Sequence, residues 1–428
     1  MAKELQLTQL NKKGLKAEFN LVGAAKINDK TFNVDIESSK ENSDWVYSRL
    51  NLGVDCGQDG IIYAGMQSGY GKARENVIYV HGVKEENGRM VDDYENRFTI
   101  DWEDRFDEQV LETLGEGNYI KVGIMKDDED KVVVEKFLTP YDTVKYLKDH
   151  LENGMIVNIK GDLEYKIWDD RVTYDKKIKS IFLSKAEKEQ YRATFTQTIF
   201  IDDNAIGKLD KETRTIPVTG YVVELIKEYN GQKLKRMENG KQKNGQYLPL
   251  VKTFTFEIGE DKDKALKLLK QFKSKSKKDV DKITIDGRFS RGSVDTVAVT
   301  IDDIQDKDIL EMIELGYIKA EDVLNQMAKA NNSGSSPESM MLLKPRVKFV
   351  ENQATGLKIP QIDKVEKAYK IEDFTISLIL ENLCIKEDEE PNVQNDNNQE
   401  ISEDEALNQV LNSLSDDDED DWLKGLEG

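Results

Sequence analysis

Two histidines, His81 and His150, and two cysteines, Cys56 and Cys384, are all that 428 residues offer toward nucleophilic or zinc chemistry. They are scattered, so no Cys/His cluster has the spacing of a structural zinc site. Neither histidine has a setting suited to Ser-His or Cys-His catalysis. The stretch GMQSGYGKA (65–73) has the outline of a phosphate loop. From Gly65 to Gly71-Lys72 it is one residue too long, however, and Ala73 stands where Ser or Thr is needed. No dinucleotide fingerprint occurs, and no ordered set stands out among 83 acidic residues as a Mg²⁺ site. The expectation is a non-enzyme without cofactor or metal.

A different chemistry is better represented. Tyr63, Tyr70 and Tyr79 offer flat faces around Gly65, Gly69 and Gly71, with Lys72 and Arg74 as cations. A mobile aromatic and basic hairpin suits a single strand, whose bases stack and whose phosphates pair without the sequence being read. The alternative is a plain surface hairpin with its tyrosines packed down. A comparable loop carries Lys235, Arg236, Lys241, Lys243 and Tyr247. Further on, Phe289 lies between Arg288 and Arg291, and an earlier strand carries Lys160, Lys166 and Arg171. In that earlier strand Tyr165 and Trp168 are read as either binding or core residues.

Charge is unevenly distributed. The chain carries a net −21, yet residues 188–305 hold 23 basic and 18 acidic residues, a net of +5. Residues 386–428 hold 16 acidic and two basic residues, a net of −14. Like-charge blocks of this kind repel, stay unfolded and serve as interaction tails. A polyanionic tail would compete with phosphates for a basic groove, and binding would weaken steeply with salt.

The elements that must position these side chains are mostly strands. Runs such as 15–25, 32–38, 48–56, 76–83, 96–102, 119–125 and 132–138 alternate or are rich in β-formers, with Gly, Asn and Asp between them. Thr139-Pro140 opens a helix with Val144, Leu147 and Leu151 on one face, and strands at 155–168 and 176–184 follow. The order repeats: strands at 191–201, 215–229 and 250–259, a helix over 261–273, then strands at 281–292 and 295–304. VNIKGDL (157–163) aligns with ITIDGRF (283–289), which points to an internal duplication, with Gly161 and Gly287 marking sharp strand bends. The expected fold is mainly β, two tandem OB-like Greek-key barrels with a helix in each, a helical extension and a disordered acidic tail. The expected boundaries are 1–187, 188–305, a helical or mixed extension 306–385, and the tail 386–428. Segment 340–385 is left open between covering a barrel edge and mediating self-association.

The tail ends SDDDEDDWLKGL (415–426) after a low-complexity linker at 386–400. With the OB-like order of elements and the aromatic and basic hairpins, this resembles the single-stranded DNA-binding proteins of bacteriophage replication systems, and more loosely the bacterial ones. The resemblance implies a docking tip for replication, recombination and repair proteins. Asp416, Asp417, Asp418, Glu419, Asp420 and Asp421 match its acidic part, and Trp422, Leu423 and Leu426 its hydrophobic part. The bacterial tip ends in Pro-Phe, whereas this chain ends Leu426-Glu427-Gly428. The expectation is a protein that coats and protects single-stranded DNA. The alternatives are a virion or scaffold component, an acidic DNA mimic, or a Mg²⁺-dependent nuclease. No apolar signal core or long apolar span occurs, so the expected location is the cytoplasm, that of a bacterial host if phage-encoded, with no membrane partner.

Overall fold

The computed structural model describes residues 7–168, 171–238, 240–259, 261–291, 313, 338–351 and 356–388. The docking tip at 415–426 and the strand expected at 295–304 lie outside these residues. Strands dominate, with short helices between them.

The chain starts with β1 (Ala17–Lys26), β2 (Phe32–Glu37), β3 (Trp45–Asp55) and β4 (Ile61–Gly71). A hairpin of β5 (Val77–Glu86) and β6 (Arg89–Asp101) follows, then α1 (Glu108–Leu111), β7 (Ile120–Lys126) and β8 (Val132–Phe137). Helix α2 (Pro140–His150) leads into the long hairpin of β9 (Ile156–Trp168) and β10 (Arg171–Leu183). Five of these strands close on themselves. β3 pairs with β4 from Trp45↔Gly71 to Asp55↔Ile61, and β4 meets β10 in parallel at Gly65↔Lys177. β10 pairs with β9, β9 with the first part of β1, and the last part of β1 returns to β3 at Ala24↔Asp55. The result is a closed five-stranded barrel in the OB-like order, with α2 between its third and fourth strands in the chain. Alternation explains its interior: Leu21, Leu52, Val54, Ile62, Val157, Ile159 and Ile181 are fully buried. Val144 and Leu147 of α2 are buried against this core. Thr139 caps α2 by accepting from the Asp142 amide at 3.2 Å, and Pro140 supplies the preset first turn.

The second half opens with β11 (Arg192–Ile201) and β12 (Thr215–Ile226). Two small hairpins follow, β13 (Glu228–Tyr229) with β14 (Gln232–Lys233), and β15 (Lys235–Glu238) with β16 (Lys241–Asn244). Next come β17 (Gln246–Glu257), α3 (Lys262–Leu269), β18 (Asp279–Arg291) and β19 (Glu338–Pro345). The pairings run β11–β12, β12–β17, β17–β19 in parallel, β19–β18 and β18–β11. The strand beside β18 is therefore drawn from the segment whose place the sequence leaves open. A further hairpin of β20 (Val347–Glu351) and β21 (Lys358–Ile362) precedes β22 (Lys364–Lys370), which pairs with β18, and a final helix, Ile376–Asp388.

The halves are joined edge to edge. β1 and β11 pair antiparallel from Ala17↔Gln197 to Val22↔Arg192, so one fourteen-stranded sheet runs through both. Phe19 lies opposite Phe195 in that register and also opposite Gly161, while Phe195 lies opposite Gly287. A Cβ on Gly161 would sit 2.8 Å from the Phe19 ring and 1.9 Å from the Lys177 carbonyl oxygen. One on Gly287 would sit 2.1 Å from the Phe195 ring and 2.5 Å from the Met341 carbonyl oxygen. Each glycine lies beside a register shift in its partner strand, at Ile178/Ser180 of β10 and at Leu343 of β19. The motif aligned in sequence thus has one physical cause in both places: a phenylalanine laid across a glycine that has no room for a side chain, in a strand whose other neighbour is bulged.

Candidate nucleic-acid interface

Inward Ser48, Leu50, Leu52 and Val54 of β3 are buried, which turns Tyr47, Arg49 and Asn51 outward. On β4, inward Ile62, Ala64 and Met66 leave Tyr63, Gly65 and Gln67 facing out. Across the pair, Arg49 stands opposite Gln67, Asn51 opposite Gly65, and Gly53 opposite Tyr63. The Tyr63 ring lies against Gly53, 3.1 Å from where a Cβ would stand. The Arg291 guanidinium, arriving from the end of β18, lies 5.0 Å from the Tyr63 ring centroid. Arg49 is half-buried and makes no ion pair among the described residues.

Beside this face, the outer half of the β9–β10 hairpin leans on the second half of the molecule. Tyr165 is buried, its hydroxyl 3.2 Å from Gln197, and its amide donates to Glu224 at 3.2 Å. Lys176 is 8% exposed, and its ammonium pairs with Glu338, which also accepts from the Tyr174 hydroxyl at 2.6 Å. Lys176 lies 4.5 Å from the Phe289 ring centroid, and Lys252 of β17 lies 4.7 Å from that of Tyr174. Burial holds the Lys176 ammonium below the usual lysine range against the pull of Glu338. Burial does the same to Lys252, where Glu338 opposes it and the neighbouring Lys176 charge adds to it. At the same seam, buried Asp59 accepts from the Ala193 amide at 2.8 Å and pairs with Arg288 at 3.2 Å. Burial pushes that carboxyl up, opposed by both partners.

The residues singled out from sequence fall into separate groups. Tyr63, Arg288, Phe289 and Arg291 meet at the seam, although Phe289 is wholly enclosed and offers no face to solvent. Tyr70 packs with Trp102 and Tyr141, at 5.5 and 5.6 Å between centroids. Lys72 pairs with Glu37, and Arg74 lies 3.9 Å from Asp44 and 5.6 Å from the Trp45 ring. These three sit at the α2 end of β4. Because β4 runs parallel to β10 with Gly65 at Lys177, that end faces away from the Trp168–Arg171 turn. Gly65 and Gly69 are not a mobile tip but strand residues, with carbonyl oxygens of β3 at 2.6 and 2.0 Å from where a Cβ would be. Tyr79 is exposed on β5. Lys160 faces outward on β9, in a shallow cavity of about 350 Å³ shared with Glu18, Asp162 and Lys179. Lys166 lies 3.6 Å from Asp175, and Arg171 is exposed beside the β9–β10 turn.

On the β15–β16 hairpin, Lys235, Lys241 and Lys243 are exposed. Arg236 is instead a pin: it donates to the Asn244 carbonyl at 2.7 Å, pairs with Glu238 at 2.8 Å, and lies 5.2 Å from the Tyr247 ring centroid. Tyr70 and Lys72 are thus held by Trp102, Tyr141 and Glu37, and Arg236 by Glu238 and Tyr247. Sequence reasoning misses Tyr47, Arg49, Tyr174, Lys176 and Lys252. The alternation SRLNLG marks Arg49 as outward, but a β10 taken to begin at Lys176 loses the outer half of that strand.

Among the described residues, no group of three or more His, Cys, Asp or Glu side chains is placed to hold a metal. No helix there is long and apolar enough to cross a membrane.

A family model described as YorF matches residues 121–238, which run from β7 to β15 across the junction of the two halves. No curated protein matches the chain. Two solved structures are similar in part: the wild-type single-stranded DNA binding protein from Thermus aquaticus and a deletion mutant of that protein. Each aligns at 10% identity over 65% of this chain, and over 86% and 88% of its own, with a TM-score of 0.24. These are weak, partial resemblances.

Proposed function

We propose that the protein binds single-stranded DNA without reading its sequence, and coats and protects it during replication or recombination, in the cytoplasm of a bacterial host. The observation that carries this reading is the β3–β4 face. There Tyr47 and Arg49 face outward from β3, Arg49 without an ion pair among the described residues, and farther along the face Arg291 lies over Tyr63 of β4. Aromatic faces and cations on a glycine-lined pair of strands are what stacking bases and passing phosphates need. In this reading the cyclic pairing of β11, β12, β17, β19 and β18 makes a second barrel of the same class, with α3 in the place of α2. The acidic tail competes for the same cations when no strand is bound, and recruits other proteins through Trp422, Leu423 and Leu426 when one is. No step of catalysis is assigned.

The test is a fluorescence-anisotropy titration of a labelled dT oligonucleotide over a KCl series, with the full chain and with 386–428 removed. The expected result is affinity that falls with salt and rises on deletion. No affinity for the oligonucleotide at low salt would refute the reading, and its degradation on adding Mg²⁺ would make the protein a nuclease instead.

A further inference from the structure

We propose that Lys252, held over the Tyr174 ring at the seam between the two halves, is a contact point for a phosphodiester of the bound strand. The proposal rests on the single-strand reading above and adds a path to it: the strand leaves the β3–β4 face at Tyr63 and Arg291 and crosses toward β17.

The argument is one of local charge. Lys176, Lys252 and Arg291 converge on the outer half of β10, and Arg291 is close enough to disfavour the Lys176 charge. Glu338 is the carboxylate seated among them, and it is already engaged by Lys176 and by the Tyr174 hydroxyl. Asp175, on the same strand, is shared by Lys166 and Lys177 at 3.6 and 3.7 Å. Lys252 therefore makes no ion pair among the described residues, although it is half-buried and points along the same face of β17 as core Leu250 and Phe254. A cation taken partly out of water with only a shared, already paired carboxylate nearby is costly. The Tyr174 π-face offsets that cost in part, and an anion drawn into the seam would offset the rest. Lys252 remains accessible because it and Tyr174 are both only half-buried. By contrast, Lys72 and Lys275 pair with Glu37 and Glu366 on the surface, so they have less to gain from a phosphate.

The experiment compares Lys252→Gln and Lys252→Arg with wild type in the full chain, titrating labelled dT40 over a KCl series. A single-strand phosphate contact contributes about 0.7 to the slope of log affinity against log salt. Lys252→Gln is expected to flatten the slope by about that much and to weaken binding about 3- to 10-fold at fixed salt. Lys252→Arg is expected to keep both, and both variants should melt near wild type because no ion pair is lost. If wild type binds dT40 and Lys252→Gln matches it in slope and affinity, the contact is refuted while the single-strand reading stands. If wild type does not bind dT40, the single-strand reading itself fails and takes the contact with it.

Discussion

Replacing Glu338 by Gln removes the counter-charge of Lys176 while leaving the shape of the seam nearly unchanged. The side chains of Lys176 and Glu338 are 6% and 17% exposed, so the stranded ammonium has little water to turn to. Breaking a buried pair in this way costs about 3–5 kcal/mol. The cost also has a ceiling, because the lysine can give up its proton. Starting from the ordinary value of 10.5, deprotonation at pH 7 costs about 5 kcal/mol at 1.36 kcal/mol per pH unit, and at pH 9 about 2 kcal/mol. The sign follows from linkage. A lysine with a depressed folded pKa binds fewer protons folded than unfolded, so stability rises with pH between its folded value and 10.5. The Glu338→Gln deficit in urea unfolding is therefore expected at about 3–5 kcal/mol at pH 7, shrinking toward about 2 kcal/mol at pH 9. The double replacement Lys176→Met with Glu338→Leu should recover most of it. A Glu338→Gln variant within about 0.5 kcal/mol of wild type, or a deficit that does not change with pH, would show that the pair is not buried as described.

Two further predictions follow from the same geometry. Gly161→Ala and Gly287→Ala should each cost about 3 kcal/mol or more in urea unfolding, because the new Cβ meets a carbonyl oxygen and a phenylalanine ring. Gly259→Ala, with nothing within 4 Å of its Cβ, should change stability by less than about 0.5 kcal/mol. Affinity for dT40 should weaken as pH is raised toward 10.5, because the phosphate favours the charged form of Lys252 and burial favours the neutral one. Lys252→Arg should lessen that pH dependence, and an unchanged profile would remove Lys252 from the contact.

The strands and the helices α2 and α3 are legible because each carries a period. β1, β9 and β11 alternate around buried Leu21, Ile159 and Phe195, and α2 shows Val144 and Leu147 on one face between Thr139-Pro140 and Asn153-Gly154. The Gly161/Gly287 correspondence is visible too, though its cause is not. Each phenylalanine comes from a different strand, far off in the chain, and no local pattern records such a contact. β4 is easily misread because three glycines in IIYAGMQSGYG look like a turn, whereas here they let one strand lie close against another. The site is the least legible part. Lys72, Arg74 and Arg236 have the composition of a phosphate contact, but Glu37, Asp44 and Glu238 engage them in an arrangement that only the fold creates. Lys252 looks like an ordinary lysine in VKTFTF and is notable only for what surrounds it.

The β1–β11 ladder has a consequence for anyone who divides this chain. Each of those strands spends one edge inside its own half and the other on its neighbour. Cutting near residue 187 would strip both of their outer partners at once and leave two bare, alternating templates for unwanted strand addition. The halves are better regarded as mutual chaperones than as detachable modules, and fragments should be judged first by whether they stay monodisperse.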